Sequence, residues 1–298
     1  MIGAVGEGLF ELGIDEAAPD TPPRAGYGGD AANTAVMAAR LGGARLCGRV
    51  GGDALGRRLL EFWQRSGVDT AAVTVDEAPT GIYVNERLGE GGCRFHYHRR
   101  GSAGSRLSSG DVTAAFLSGL DALHFTGITL AISTSAAAAA RLAARLAREQ
   151  GALVSFAVNH RPALHGDVHE IAACARAADV VFVSIEEAEV IFGAGGPSEV
   201  ARALVAGPAE VVVTLGDGGA VAFVNSSEVR VPAPAVEIVD ATGAGDALAG
   251  VYLAERVAGS SAERALTRAV AAATLSCRSF GAALSYPRAS ELEATIPA

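Results

Sequence analysis

The sequence predicts an α/β fold, one large domain built on a mostly parallel sheet with a small β-hairpin lid, and three observations predict it. Strand-like and helix-like stretches alternate along most of the chain. The run Ala152-Leu153-Val154-Ser155-Phe156-Ala157-Val158 is almost continuously apolar, as in a parallel strand covered on both faces. Residues 80–87 and 94–99 interrupt the alternation: both are strand-like, and Gly89-Glu90-Gly91-Gly92 between them reads as a hairpin turn. With 298 residues the chain can bury a large core, and no repeat or linker divides it. Residues 1–298 are therefore expected to form a single domain, with lid strands from about 7–27 and 79–100.

Taken in order, residues 3–12 read as a strand region and Pro19-Asp20-Thr21-Pro22-Pro23 as a loop. Gly28-Gly29 reads as a turn, Asp30 as an N-cap, and residues 31–41 as a small-residue helix that stops at Gly42. Asn33 lies in that helix's first turn, where a polar side chain either touches a ligand or caps the helix. Residues 45–50 read as a strand and 53–67 as a helix burying Leu55, Leu59, Leu60, Phe62 and Trp63. In the hairpin, a period of two gathers Tyr83, Tyr97 and Arg99 on one face. Aromatics and an arginine there suit a lid over a polar, anionic ligand; an ordinary amphipathic edge hairpin is the alternative.

Residues 122–127 read as a strand and loop, 133–150 as an alanine-rich helix, and 152–158 as the apolar strand ending at Asn159-His160-Arg161. Ligands of open α/β sheets lie beyond the carboxyl ends of strands, which makes Asn159 and Arg161 site candidates. A helix over 168–177 and a strand over 179–183 lead to Ser184 and, three residues on, Glu187, the composition of a capping box. A helix over 200–206, a strand over 210–215, the turn Gly216-Asp217-Gly218-Gly219 and a strand over 221–224 follow. A Pro-punctuated crossing over 229–239 then leads to helices running to about residue 258 and from 262 to about 277.

Hydrophobic residues make up 50% and charged ones 19%, and no apolar run reaches the length of a membrane span without a polar interruption. The first residues carry neither the basic region nor the apolar stretch of a signal peptide, so the cytoplasm is the expected location. A formal charge of −9 argues against a nucleic-acid surface. Cys47, Cys93, Cys174 and Cys277 are scattered without a C-x-x-C pair and read as reduced thiols. All 24 basic residues are arginine. Without lysine there is no P-loop, no Schiff-base chemistry and no protein-kinase strand lysine. His96/His98 and His165/His169 lack the context of a metal site. No G-x-S-x-G precedes a helix, and no G-x-G-x-x-G follows the first strand.

What remains is Asp240-Ala241-Thr242-Gly243-Ala244-Gly245-Asp246, which follows a β segment and opens onto an apolar helical run. Gly243, Ala244 and Gly245 keep side chains out of the way at a helix N-terminus, where backbone N–H groups and the helix dipole attract an anion. Asp246 puts a carboxylate beside that anion, a sensible place for a group that takes a proton. Together they point to phosphoryl transfer to a hydroxyl.

Asp240 to Asp246 resembles the D-x-x-G-A-G-D signature of the ribokinase-type (PfkB) sugar kinases. Gly28-Gly29-Asp30-Ala31-Ala32-Asn33-Thr34-Ala35, Arg40-Leu41-Gly42 and Gly48 to Gly56 resemble the N-terminal signature of the same family, and the resemblance covers essentially the whole chain. Within the family, Tyr97 to Ser105, His124 to Thr129 and Asn159-His160-Arg161 are most similar to the 2-keto-3-deoxygluconate kinases. The resemblance implies a ribokinase-like three-layer sandwich and ATP-dependent phosphorylation of a sugar acid, 2-keto-3-deoxygluconate to its 6-phosphate. It implies Asp246 as the base and Gly243, Ala244 and Gly245 as the anion hole. Gly29, Asn33, Tyr83, Tyr97, Arg99 and Arg161 would hold the sugar acid, with an arginine on its carboxylate. Asn159, Ser184, Thr214, Gly216 and Gly219 would line the nucleotide side, and Glu187, with Ser184, would sit in the water shell of Mg²⁺. The implied cofactors are ATP and Mg²⁺, with a monovalent cation left open, and the expected assembly is a homodimer through the lid. Two positions depart from the branch, which has aspartate where Ala157 stands and asparagine at about Val270. The alternative readings are another ribokinase-family sugar or nucleoside kinase, or a catalytically silent sugar or nucleotide sensor, for which Ala157 is the support.

Overall fold

The computed structural model describes residues 1–88, 93–164, 168–204, 207–225 and 227–295, so the expected hairpin turn at residues 89–92 and His165 lie outside the described residues. The chain begins with β1 (Ile2–Val5), β2 (Leu9–Asp15), β3 (Arg24–Gly28), α1 (Asp30–Ala39), β4 (Ala44–Gly51), α2 (Ala54–Arg65) and β5 (Val68–Asp76). Next come β6 (Ile82–Arg87), β7 (Cys93–His98), α3 (Ala114–Leu117), β8 (Ala122–Thr126), α4 (Gly127–Ile132), α5 (Thr134–Glu149), β9 (Leu153–Ala157) and α6 (Val168–Ala177). The remainder runs β10 (Val180–Ser184), α7 (Ile185–Phe192), α8 (Pro197–Ala203), β11 (Glu210–Thr214), β12 (Ala220–Val224), β13 (Ser227–Val231), α9 (Ala244–Val257), α10 (Ala262–Ser276) and α11 (Ala289–Thr295).

Nine strands form one sheet in the order β13-β12-β11-β10-β9-β8-β1-β4-β5, parallel from β5 to β11 and antiparallel at β12 and β13. Both faces of this sheet are apolar, so both must be covered. One face packs on α1, α9 and α10 through residues such as Met37, Leu248, Tyr252 and Leu266. The other packs on α3, α5, α6 and α8 through Phe116, Ala140, Ile171 and Val200. The alanine run is part of this packing: α5 buries Ala136, Ala139, Ala140, Ala143 and Ala147, where small side chains let the helix lie close to the strands. The result is the helix–sheet–helix sandwich expected for the class.

A second sheet, in the order β3-β2-β6-β7, collects the strands outside that rhythm. β6 and β7 pair antiparallel with Tyr83 opposite Tyr97 and Asn85 opposite Phe95, and β2 runs parallel to β6.

Several local expectations shift. Residues 3–12 hold two strands in different sheets, because the chain breaks at Gly6, where a Cβ would come within 2.6 Å of the Ala31 Cβ on α1. Gly29, at φ 104°, is the N-cap of α1, and Asp30 is the first helical residue instead of the cap. Gly28 is the end of β3, so the expected turn shrinks to Gly29. Gly127 opens α4 where a loop was expected, with the Thr126 hydroxyl accepting from the Thr129 N–H. The helix expected from residue 200 starts at Pro197, whose fixed φ suits the first helical position. Ser227–Val231 is an edge strand at the start of the expected crossing, and β5 was not anticipated at all.

Candidate active site

A cleft of ≈ 480 Å³ lies between the small sheet and the carboxyl ends of the central strands. Gly29, Asn33, Tyr83, Tyr97, Arg99, Asn159, Arg161, Gly243, Gly245 and Asp246 all line it. Ser184, Thr214, Gly216, Gly219, Glu187 and Ala244 are not on its wall.

The floor of the cleft is a carboxylate–amide cluster. Asp246, in the first turn of α9, keeps part of its surface open to the cleft. Its Oδ2 accepts from the Asn33 side-chain amide at 2.9 Å and its Oδ1 from the Asn159 amide at 3.5 Å. Asn159 also donates to Asp30 at 3.1 Å, so one amide bridges two acids. It does so from a φ of 39°, a left-handed conformation that asparagine tolerates better than most residues. Loss of water around Asp246 pushes its carboxyl up to about 7, helped by the charge of Asp30 and opposed by Asn33, Arg161 and Asn159. A carboxyl poised there exchanges protons readily near neutral pH.

Above this floor the signature loop turns into α9. Gly243 is the N-cap at φ 79°, and its carbonyl accepts from the buried Tyr286 hydroxyl at 2.8 Å. The Ala244 N–H is already used in a turn to the Ala241 carbonyl at 3.2 Å, so Gly243 and Gly245 are the better placed donors of the expected trio. A Cβ added at Gly245 would meet nothing within 4 Å. The residue is bare toward the cleft, and an approaching anion meets backbone.

Asp240, at the start of the loop, is a brace. Its Oδ1 accepts from the Thr242 N–H at 2.9 Å and from the Thr242 hydroxyl, and its Oδ2 accepts from the Gly281 N–H at 3.0 Å. The Asn85 amide of β6 donates to Asp240 and to Glu11 of β2, each at 3.2 Å, which ties the loop to the small sheet. Burial pushes the Glu11 carboxyl up to about 7.

The wall opposite holds Tyr83, buried, and Tyr97, half-open, with ring centroids 5.9 Å apart. Arg99 is not a free lid cation as its strand position implied. It is buried, stacks over the Tyr97 ring at 4.4 Å and forms an ion pair with Glu7 just past the end of β1. Burial pushes Glu7 up to about 7 although Arg99 pulls it down. Arg99 Nε and Nη2 and Glu7 Oε2 are buried without a hydrogen-bond partner among the described residues. Such atoms cost about 1–3 kcal/mol each when left unpaired, and two of them are donors that an anionic ligand can satisfy. Sequence reasoning passed over Glu7, although the rule that singled out Asn159 applies equally to the residues following β1.

On the far side, Ser184 and Thr214 stand in register at the carboxyl ends of β10 and β11. Ser184 and Glu187 form the complete capping box, and the second Glu187 oxygen accepts from the His160 N–H at 2.8 Å. Each carboxylate oxygen thus retains a lone pair for a water molecule. Burial raises the Glu187 carboxyl, with Arg161 Nη1 3.8 Å away. Gly219, at φ 87°, has no room for a side chain, since a Cβ would fall 2.1 Å from the Val231 carbonyl oxygen. Ala157 and Val270 are both buried in the apolar core.

The pfkB family carbohydrate kinase profile matches residues 15–289. A 2-dehydro-3-deoxygluconokinase of Thermoproteus tenax is 39% identical over 271 residues, covering 86% of this chain and 81% of the relative. The enzyme of the same name from Escherichia coli K12 is 31% identical over 286 residues, covering 90% of this chain and 91% of the relative. A fructokinase from Vibrio cholerae O395, solved with fructose, ADP and a calcium ion, superposes with a TM-score of 0.88 at 28% identity, covering 99% of this chain and 98% of that one. A candidate ribokinase II of Escherichia coli, solved with ATP and Mg²⁺, superposes with a TM-score of 0.89 at 26% identity, covering 98% and 97%. With a family match along most of its length and a ribokinase-like fold, the chain belongs to the pfkB family of carbohydrate kinases.

Proposed function

We propose that the chain transfers the γ-phosphoryl group of ATP to a hydroxyl of 2-keto-3-deoxygluconate (2-dehydro-3-deoxygluconate), giving the 6-phosphate. The observation that carries the chemistry is Asp246, a carboxylate open to the cleft, oriented by two amides and set in the first turn of α9 beside the bare Gly245. Asp246 takes the proton of the attacking hydroxyl, the sugar oxygen bonds to the γ-phosphorus, and the bond to ADP breaks. The N–H groups of Gly243 and Gly245, with the dipole of α9, hold the charge that gathers on the phosphoryl oxygens.

The substrate class rests on the relatives named 2-dehydro-3-deoxygluconokinase and on Arg99 and Arg161 in the cleft wall, Arg99 keeping two buried donors without a hydrogen-bond partner among the described residues that a substrate carboxylate can satisfy. Gly29 and Asn33 form the floor under the sugar, and Tyr83 and Tyr97 the wall. The nucleotide lies toward Asn159, Ser184, Thr214, Gly216 and Gly219. Glu187 suits Mg²⁺ held through water, since both its oxygens keep a lone pair; bound there, the ion neutralises phosphate charge. The edge strand β7 exposes Phe95 (38%) and Tyr97 (42%), which supports a homodimer formed through the small sheet; a monomer mass in solution would count against it.

A coupled ADP-release assay over a panel of sugars and sugar acids tests the reading. Turnover is expected on the sugar acid. Turnover on a neutral sugar such as fructose or ribose, with none on any sugar acid, would overturn the substrate class and leave the kinase chemistry standing.

A further inference from the structure

A cavity of ≈ 780 Å³, larger than the ≈ 480 Å³ cleft, opens where the ends of α1, α2 and α10 meet the segment leading into α11. Four arginines line it, Arg40, Arg65, Arg278 and Arg288, against one carboxylate, Glu291. In a chain of formal charge −9 this is a local reversal of sign. Elsewhere arginine is commonly matched with acid, as Arg49 is with Asp76 and Asp111, and Arg256 with Glu210. Among the described residues none of these four arginines is in an ion pair. Arg40 donates to the carbonyl oxygens of Tyr286 and Pro287, which are neutral partners, and the Glu291 carboxylate accepts the Arg288 backbone N–H at 2.7 Å.

Like charges gathered around open space repel one another until a counter-charge arrives. Guanidinium groups present forked donors that fit phosphate oxygens in pairs, and the cavity lies within the usual range of small-molecule sites, about 300–1,000 Å³. One side chain joins this cavity to the catalytic loop. Tyr286 forms part of the cavity wall, its carbonyl oxygen accepts from Arg40, and its hydroxyl donates to the carbonyl of Gly243, the N-cap of α9, at 2.8 Å.

We propose that this cavity is a second anion site, for a small phosphorylated metabolite, and that Tyr286 relays its occupancy to Gly243. An anion held by Arg278 and Arg288 also attracts Arg40, which is tied to the Tyr286 backbone. The empty and filled states therefore differ at the hydroxyl that fixes the anion loop. Binding at this site is read without turnover, so its failure is separable from failure of the kinase reading.

Isothermal titration of the full chain with inorganic pyrophosphate, in saturating Mg²⁺–ADP so that the nucleotide side is filled, should show one binding event. R278Q/R288Q should weaken it about tenfold or more, since two charge-assisted contacts are lost. R65Q, on an exposed side chain, should weaken it about threefold and covers the case in which the double variant does not fold. Glucose 6-phosphate as a second titrant separates the sources: tighter binding than pyrophosphate assigns the site to sugar phosphates, weaker binding to polyphosphates, and either upholds it. Pyrophosphate should change the turnover of the parent chain, and Tyr286→Phe should keep the affinity while losing that response. Absence of a binding event beside Mg²⁺–ADP, or one that both arginine variants leave untouched, overturns the site. A turnover response that persists in Tyr286→Phe overturns the relay.

Discussion

The helices α1 and α9 begin in the same way and do different work. Each starts at a glycine with positive φ, 104° at Gly29 and 79° at Gly243, has no side-chain cap, and carries an acid in its first turn. At Gly29 a Cβ would sit 2.3 Å from the Glu7 carbonyl oxygen, so this glycine exists to let two stretches of chain touch. In α9 the second glycine, Gly245, faces nothing within 4 Å. The acids differ likewise. Asp30 is buried and its oxygens accept from the Ala31 N–H at 2.8 Å and from Asn159. Asp246 has one amide donor on each oxygen and an open side. Both acids carry one donor per oxygen and both line the cleft, so what separates them is burial and the glycine beside each: Asp30 is buried next to a crowded glycine, whereas Asp246 keeps an open side next to a bare one, which is what the proposed phosphoryl transfer requires.

Asp246→Asn gives the largest expected effect. The amide keeps the shape but cannot accept the proton, and general-base catalysis is typically worth about 10²–10⁴ in rate. Turnover in the ADP-release assay should fall about a thousandfold, with nucleotide affinity by calorimetry held within about threefold. A loss of tenfold or less would mean that the open acid is not the base, and the contrast with Asp30 would lose its meaning.

Alanine in place of each glycine crosses the comparison. Gly245→Ala should cost about a hundredfold in turnover, because a methyl group enters the space of the phosphoryl oxygens. Its melting temperature should hold or rise, since alanine is favoured over glycine inside a helix by up to about 1 kcal/mol. Gly29→Ala should act first on stability, lowering it by about 2–4 kcal/mol in denaturant titration, through positive φ and the contact with Glu7. A Gly245→Ala protein that is unstable yet active would reverse the assignment of the two helix starts.

How much of this was legible depended on whether a feature is local in the chain. The loop from Asp240 to Asp246 was readable because glycine, acid and helix start are contiguous, and the capping box of Ser184 and Glu187 for the same reason. Asn33 and Asn159 were placed as site residues, but nothing in their spacing announces that both amides converge on Asp246, since they come from α1 and the end of β9, joined only by the parallel sheet. Glu7 and Arg99 are 92 positions apart, and burial of an arginine with a single acid contradicts what its strand position suggests. Asp240 looked like part of the anion loop and is instead its anchor to Asn85 and Gly281, a role that appears only when β6 and residue 281 arrive beside it. β5 escaped because its half-exposed alternation lacks the apolar density of the central strands.

A smaller effect probes the open side of the cleft. Arg161 is well exposed, lines the cleft and stands 3.8 Å from Glu187, where a substrate carboxylate would meet its guanidinium. Arg161→Gln should raise KM for the sugar acid about tenfold while kcat stays within about threefold, the signature of binding energy shared by ground and transition states. An unchanged KM would move carboxylate recognition to Arg99 alone, the crowded side of the site.

The smallest effect is in pH, and it separates the two acids again. For Asp246, whose carboxyl rises from 3.8 to about 7, the group's contribution to stability is fully present below 3.8 and is lost as pH climbs through about 7. Glu7 and Glu11, both raised from 4.5 to about 7, have the same sign, so the ligand-free protein should lose stability between pH 5 and 8 as these carboxyls are forced to ionise. With Asp246 as the proposed base, catalysis runs the other way, because a base works only when deprotonated: log kcat/KM should rise with unit slope below about pH 7 and level off above it. Asp30→Asn removes the like charge that is the second cause of the shift, and should move this limb to lower pH while leaving the plateau in place. If the limb stays where it is, desolvation alone sets the proton affinity of Asp246, and the two helix starts share a wall but not a field.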